Sequence, residues 1–233
     1  MRYSGSALLA AALAGCGTGN TTIDVDDHNA FIPSARVTVP LSRLDSAPSE
    51  PQSGHALEIG YTQAKGSSSQ SLAAGQDAIQ FGGQTFNPPQ ELRYDFDYKH
   101  AELHYRYRKF LSNSPNLGFE VLGGVANSRL NLSASSSGRG AHERLSSAGI
   151  SGGAGAIWKI RPATSLQARY SLFAASETRG NRTELSAVQA LGANASIRGG
   201  YTWWYLRADP IFESGSDVAV RFRGPAVALD VMF

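Results

Sequence analysis

Residues 91–110 read Glu-Leu-Arg-Tyr-Asp-Phe-Asp-Tyr-Lys-His-Ala-Glu-Leu-His-Tyr-Arg-Tyr-Arg-Lys-Phe. Leu92, Tyr94, Phe96 and Tyr98 alternate with Arg93, Asp95, Asp97 and Lys99. After Lys99-His100 the alternation continues one residue out of phase, with Leu103, Tyr105 and Tyr107 set against Glu102, His104, Arg106 and Arg108. A helical period of 3.6 would mix these two sets, whereas a period of two keeps them apart, so the segment is a β-strand. The slip in phase predicts a β-bulge near Lys99-His100, where one extra residue turns the side chains over.

The same period runs through the rest of the chain. It is seen in Leu57, Ile59 and Tyr61, in Phe119, Val121 and Val125, and in Ile150, Trp158 and Ile160. It returns in Leu166, Tyr170 and Leu172, and in Ile197, Tyr201, Trp203 and Tyr205. A second slip near Gly224 separates Val218, Val220 and Phe222 from Val227, Leu229, Val231 and Phe233. Eight strands are predicted, at about 54–65, 91–110, 116–132, 145–161, 164–176, 183–195, 197–209 and 217–233. The connections between them alternate between long and short. That fits an all-β, eight-stranded antiparallel up-and-down barrel.

The chain has 233 residues, of which 42% are hydrophobic and only 17% charged, with a formal charge of +2. Such a balance does not suggest nucleic-acid binding, which normally shows a clustered basic face. The single cysteine, Cys16, excludes a disulfide framework and any site built from several cysteines. Residues 1–15 have a basic Arg2, a short apolar run and small residues, the pattern of a signal peptide. Leu13-Ala14-Gly15-Cys16 resembles the lipobox of bacterial lipoproteins, which implies lipidation at Cys16. Residues 16–53 carry Asp24, Asp26 and Asp27 and four prolines, and read as an acidic tether, part of which enters the fold as a plug. Within it, Arg36-Val37-Thr38-Val39 has the makings of a short strand that Pro40 limits.

Alternation alone does not say which face points inward. A soluble lipocalin-type barrel is apolar inside, and a membrane barrel is apolar outside. Three features favour the second. The polar set carries both signs of charge, in Glu58, Glu102, Arg106, Arg108, Glu120, Lys159, Arg169, Arg198 and Asp230, which a narrow lumen would pair. The apolar set is rich in Tyr and Trp near strand ends, as at a lipid–water boundary. Finally, Val227, Leu229, Val231 and Phe233 resemble the C-terminal strand by which outer-membrane proteins engage the barrel assembly machinery.

Residues 54–233 therefore resemble the small eight-stranded bacterial outer-membrane β-barrels. The resemblance implies a monomeric transmembrane barrel in the outer membrane, in contact with its lipid, with a structural or surface-interaction role and a lumen filled by charges. The alternatives are a small porin or gated pore, a lipid-modifying barrel enzyme, and a soluble lipocalin-like periplasmic lipoprotein. Some barrels of this family are lipid A deacylases with a His-x-Ser arrangement, and no histidine here has serine two residues on. His100 and His104 with Glu102 have too few ligands and a broken register for a metal site, so no metal, cofactor or catalytic residue is expected.

Overall fold

The computed structural model describes residues 23–27, 30–41, 53–192, 194–208 and 217–232. They form twelve strands: β1 (Ile23–Asp27), β2 (Ile32–Pro40), β3 (Gly54–Leu72), β4 (Ile79–Phe81), β5 (Gln84–Phe86), β6 (Gln90–Leu111), β7 (Ser114–Ser136), β8 (Arg139–Arg161), β9 (Thr164–Ala174), β10 (Thr178–Ala190), β11 (Ala195–Ala208) and β12 (Val218–Met232). Ten make one mixed sheet, in the order β1-β12-β11-β10-β9-β8-β7-β6-β3-β2, and β4 and β5 form a separate hairpin. Both β1 and β2 lie parallel to β12, at Ile23–Asp27 against Val218–Phe222 and at Ile32–Thr38 against Ala226–Met232. Since β2 also pairs antiparallel with β3, the hydrogen-bonded neighbours from β2 through β3 and β6–β12 lead back to β2. The sheet thus has an inner and an outer face.

This corrects the expected architecture. The fold is not an eight-stranded antiparallel up-and-down transmembrane β-barrel. Residues 23–27 and 32–40, read from sequence as tether, are strands of the main sheet, and their pairing with β12 is parallel. The assignments that rested on the eight-stranded fold lose their basis with it: the outer-membrane location, the structural or surface role there, the pore, the lipid-modifying enzyme, and contact with outer-membrane lipid. So does recognition by the barrel assembly machinery through the C-terminal strand, because β12 closes against β1 and β2 in parallel and not against an antiparallel first strand of an eight-stranded barrel. Among the described residues no helix is long and apolar enough to cross a membrane, a statement about helices alone. Residues 1–15, Cys16 and Phe233 lie outside the described residues.

The two predicted slips have a different cause from the one expected. Strand β6 keeps an unbroken register with both neighbours through Lys99 and His100, so there is no bulge there. The backbone alternation is constant, and the polarity of the two faces changes places. On the inner face Leu92, Tyr94, Phe96 and Tyr98 give way to His100, Glu102, His104, Arg106 and Arg108, all buried. On the outer face Arg93, Asp95, Asp97 and Lys99 give way to Ala101, Leu103, Tyr105 and Tyr107. Strand β12 does the same across Gly224, in continuous register with β11. Val220 and Phe222 point inward there, whereas Val227 and Leu229 are exposed. Genuine irregularities sit elsewhere, between Phe110 and Leu111 and between Lys159 and Arg161.

The inversion falls at one level across neighbouring strands. The row Ile59–Leu103–Val125–Ile150, paired in register, is exposed and apolar, and Ile150 is 70% exposed. Four residues further along each strand, the outer row is Gln63–Lys99–Arg129–Ser146. Inside, the row Ala64–Tyr98–Leu130–Leu145 is buried and apolar. One half of the sheet is therefore built like a water-soluble protein and the other half inside out.

The apolar half of the interior is also closed from within. Ile23 and Val25 of β1 are fully buried in it, as are Ile79, Phe81 and Phe86 of the β4–β5 hairpin. The hairpin turns on Gly82 and Gly83, with φ of +55° and +70°. A two-residue hairpin turn with both central residues in the left-handed region strongly favours glycine. At the boundary between the two interiors, Trp204 stacks on Phe222 with ring centroids 5.8 Å apart and meets Tyr98 edge-on at 5.1 Å.

Because Phe222 is 1% exposed within this cluster, Phe222→Ala is expected to lower stability by about 3–5 kcal/mol. Arg221→Ala, one residue away on the outer face, is expected to cost less than about 1 kcal/mol. Urea unfolding of the two variants checks the inward placement of this half of β12.

Candidate functional site: an ionic interior opening on a basic cavity

The polar half of the interior contains six buried arginines and five carboxylates among the described residues. The arginines are Arg36, Arg106, Arg108, Arg169, Arg182 and Arg198. Of the carboxylates, Glu58, Glu102, Glu120 and Glu184 are buried and Asp230 is half-buried. Arg169, from β9, reaches two of them. Its Nη1 lies 2.6 Å from Glu58 of β3, and its Nη2 lies 2.7 Å from Glu120 of β7. Glu58 also faces Arg106 Nη1 and Arg36 Nε, each at 3.0 Å, and Glu120 faces Arg108 Nη2 at 2.7 Å. Arg198 Nη1 binds Glu184 at 2.6 Å, and its Nη2 binds Asp230 at 2.7 Å. Arg36 Nη2 approaches Glu184 at 3.7 Å, joining the two groups. Arg182 holds Glu102 through Nη2 at 2.9 Å.

Of the residues predicted to fill the interior with charge, Glu58, Glu102, Arg106, Arg108, Glu120, Arg169, Arg198 and Asp230 come together here. Lys159 does not, since its Nζ sits 4.1 Å from the centroid of the Phe110 ring. Val227, Leu229 and Val231 lie on β12. Sequence reasoning missed Arg36, Arg182 and Glu184. Arg182 and Glu184 continue the alternation of β10, but Arg182 precedes the predicted start of that strand.

Burial by itself raises the Glu58 carboxyl, but Arg169, Arg36 and Arg106 outweigh it and hold the group well below the usual carboxylate range. Glu102 is held well below that range in the same way, chiefly by Arg182 against burial. Arg36 is on the losing side of the balance: burial and the neighbouring Arg169 and Arg198 lower it more than Glu58 and Glu184 raise it. Burial and Arg108 likewise lower Arg106, to about 10.

Glu102 also faces two histidines on its own strand. His100 Nε2 lies 3.4 Å from Glu102, while His100 Nδ1 lies 2.8 Å from Ser128 Oγ. His104 Nδ1 is 4.0 Å from Glu102, and its Nε2 is 3.0 Å from Ser151 Oγ. Each pair has the connectivity of a serine–histidine–carboxylate relay, but all five residues are buried, and Phe173 and Trp204 pack edge-on against His100. The two histidine–serine hydrogen bonds satisfy polar groups of the buried interior. Glu58, Glu102 and His104 also place one ligand atom each within 4.8 Å of one another. Arginines already bind both carboxylates, so a divalent cation would meet Arg106, Arg169 and Arg182 across the same space. The cluster reads as part of the ion-pair core.

The network opens on a cavity of about 80 Å³ at the end of the sheet where β9 begins and β10 and β12 end. Arg36, Arg106, Arg108 and Arg198 line it, with Asp230 the one carboxylate among its lining residues. Thr38, Ser165, Ser196 and Asn194 supply further polar groups. Several guanidinium nitrogens of these lining arginines are buried without a hydrogen-bond acceptor: Nε and Nη1 of Arg36, Nε of Arg106 and Nε of Arg198. Arg36 Nε thus has an ionic contact with Glu58 without hydrogen-bond geometry.

Two outcomes follow from the ionic half. Replacing Arg169 by Met leaves Glu58 and Glu120 short of positive charge, with an expected loss of about 3–5 kcal/mol in urea unfolding. Adding Glu120→Gln to that variant is expected to restore part of the loss. Burial, acting against Glu102, lowers both His100 and His104 below the ordinary histidine value of 6.5. The folded protein thus keeps them neutral where the unfolded chain would bind protons, so their contribution is fully present above pH 6.5 and is lost as pH falls below it. Unfolding midpoints measured from pH 8 to pH 5 are expected to be level above about 7 and to fall below about 6.5, with a shallower fall in His100→Gln/His104→Gln.

No family model, curated protein or solved structure matches the chain.

Proposed function

We propose that this chain is a non-catalytic binding protein for a small anion, held in the cavity lined by Arg36, Arg106, Arg108 and Arg198. The observation that carries this reading is the gathering of four arginines around one accessible cavity whose lining offers a single carboxylate, three of these arginines having N–H groups without a hydrogen-bond acceptor. A buried donor without an acceptor costs free energy that a bound acceptor returns. Here the shortfall is one of both hydrogen bonds and charge. Arg36 and Arg106 are the two arginines of the interior whose surroundings disfavour their charge. A carboxylate or phosphate among them supplies the missing negative charge and fits the planar fork of the guanidinium group. The volume, about 80 Å³, suits a ligand of a few heavy atoms. The core behind the cavity is filled by ion pairs, so the ligand is held at the end of the sheet and does not pass through it.

Titration calorimetry with inorganic phosphate at low ionic strength tests the reading. Binding is expected, together with a rise in unfolding temperature that grows with phosphate concentration. Ala163 is exposed at the cavity rim, and Ala163→Glu is expected to weaken binding at least tenfold by placing a like charge at the entrance. The absence of heat and of thermal protection with inorganic phosphate and with acetate overturns it.

A further inference from the structure

The lining of the cavity is divided by chemistry. Along the inner face of β10, Arg182, Glu184 and Ser186 are succeeded by Val188 and Ala190, so the ionic interior stops before the strand does. Met232, on the inner-facing parity of β12, extends the same apolar wall. Arg106 and Arg108 belong to β6, on the far side of the ring of paired strands from β10 and β11. Arg36 and Asp230 are register partners one step further in from Thr38 and Met232. A ligand entering here meets guanidinium groups of β2, β6 and β11 deeper in and apolar side chains where β10 and β12 end.

Resting on the anion-binding reading above, we infer that the ligand is an amphipathic monoanion, an aliphatic carboxylate of a few carbons. Its head group lies among Arg36, Arg106 and Arg198, and its chain lies along Val188, Ala190 and Met232. A purely inorganic anion would leave that apolar wall against water, and a neutral chain would leave the guanidinium groups unpaired. A carboxylate with a short tail answers both. Asp230, which already binds Arg198, leaves Oδ1 buried without a donor, so the head group is drawn toward the Arg36 and Arg106 side of the cavity.

The test is a ligand series on the intact chain at fixed ionic strength: inorganic phosphate, acetate, propionate, butyrate and 1-butanol, each by calorimetry. Affinity is expected to rise about three- to fourfold per added methylene from acetate to butyrate, the gain from burying one methylene. 1-Butanol is expected to bind at least tenfold more weakly than butyrate. In Val188→Ser the gain per methylene is expected to shrink. Phosphate and acetate binding with no dependence on chain length overturns the amphipathic ligand and leaves the small-anion reading standing. Failure of phosphate and all three carboxylates to bind overturns both. Equal affinity for butyrate and 1-butanol overturns the assignment of the head group to the arginines.

Discussion

Arg169 is the centre on which the interior depends. One guanidinium group from β9 binds Glu58 of β3 and Glu120 of β7, the two strands that flank β6 in the ring of pairings. Its own charge is stabilised, since Glu120 and Glu58 raise it well above the ordinary arginine value in spite of complete burial. Ion pairs this deep are costly to assemble and costlier to break, because removing one partner leaves a charge stranded in a low dielectric. The remaining arginines share what negative charge is left, and the sharing is unequal. Arg182 and Arg198 are raised by their carboxylates, whereas Arg36 and Arg106 are lowered. The two disfavoured groups both line the open cavity, which ties the energetics of the core to the proposed site.

The eight longest strands were legible because each carries a period of two over many residues. The rest of the fold was less so, for identifiable reasons. Residues 23–27 and 32–40 look like a tether because Pro33 and Pro40 interrupt them, yet both prolines fall near the ends of β2, where a strand tolerates a missing donor. Their pairing with β12 is parallel and spans nearly the whole chain, and nothing in a local pattern announces such a partner. The slip at Lys99-His100 predicts a β-bulge, although hydrophobicity and backbone parity are separate quantities, and there as at Gly224 only the first changes. Period two reveals which residues share a face. It does not reveal whether the environment of that face is the same along its length.

The candidate site was legible in part for the same reason. Glu58, Glu102, Glu120 and Arg169 stand out as charges within long alternating strands, and the structure gathers them. Arg36 falls in a strand candidate too short to tell an inner face from an outer one, and the slip at Lys99-His100 obscures the relation of His100 to Glu102 and His104. The cavity itself was not readable, because its two walls come from β10–β12 and from β2 and β6, far apart in the sequence. Lys159 shows the converse. It has the right parity for the interior, but β8 loses register between Lys159 and Arg161, and the ammonium group lies over Phe110.

The inverted half also dictates how the molecule behaves in a test tube. Ile59, Leu103, Val125, Ile150, Trp158, Leu172 and Leu229 all stand more than two-fifths exposed on the outer face. Grease on this scale rarely faces water in a monomer. Bare buffer leaves such a girdle to find its like on other copies, so purification calls for a mild surfactant throughout.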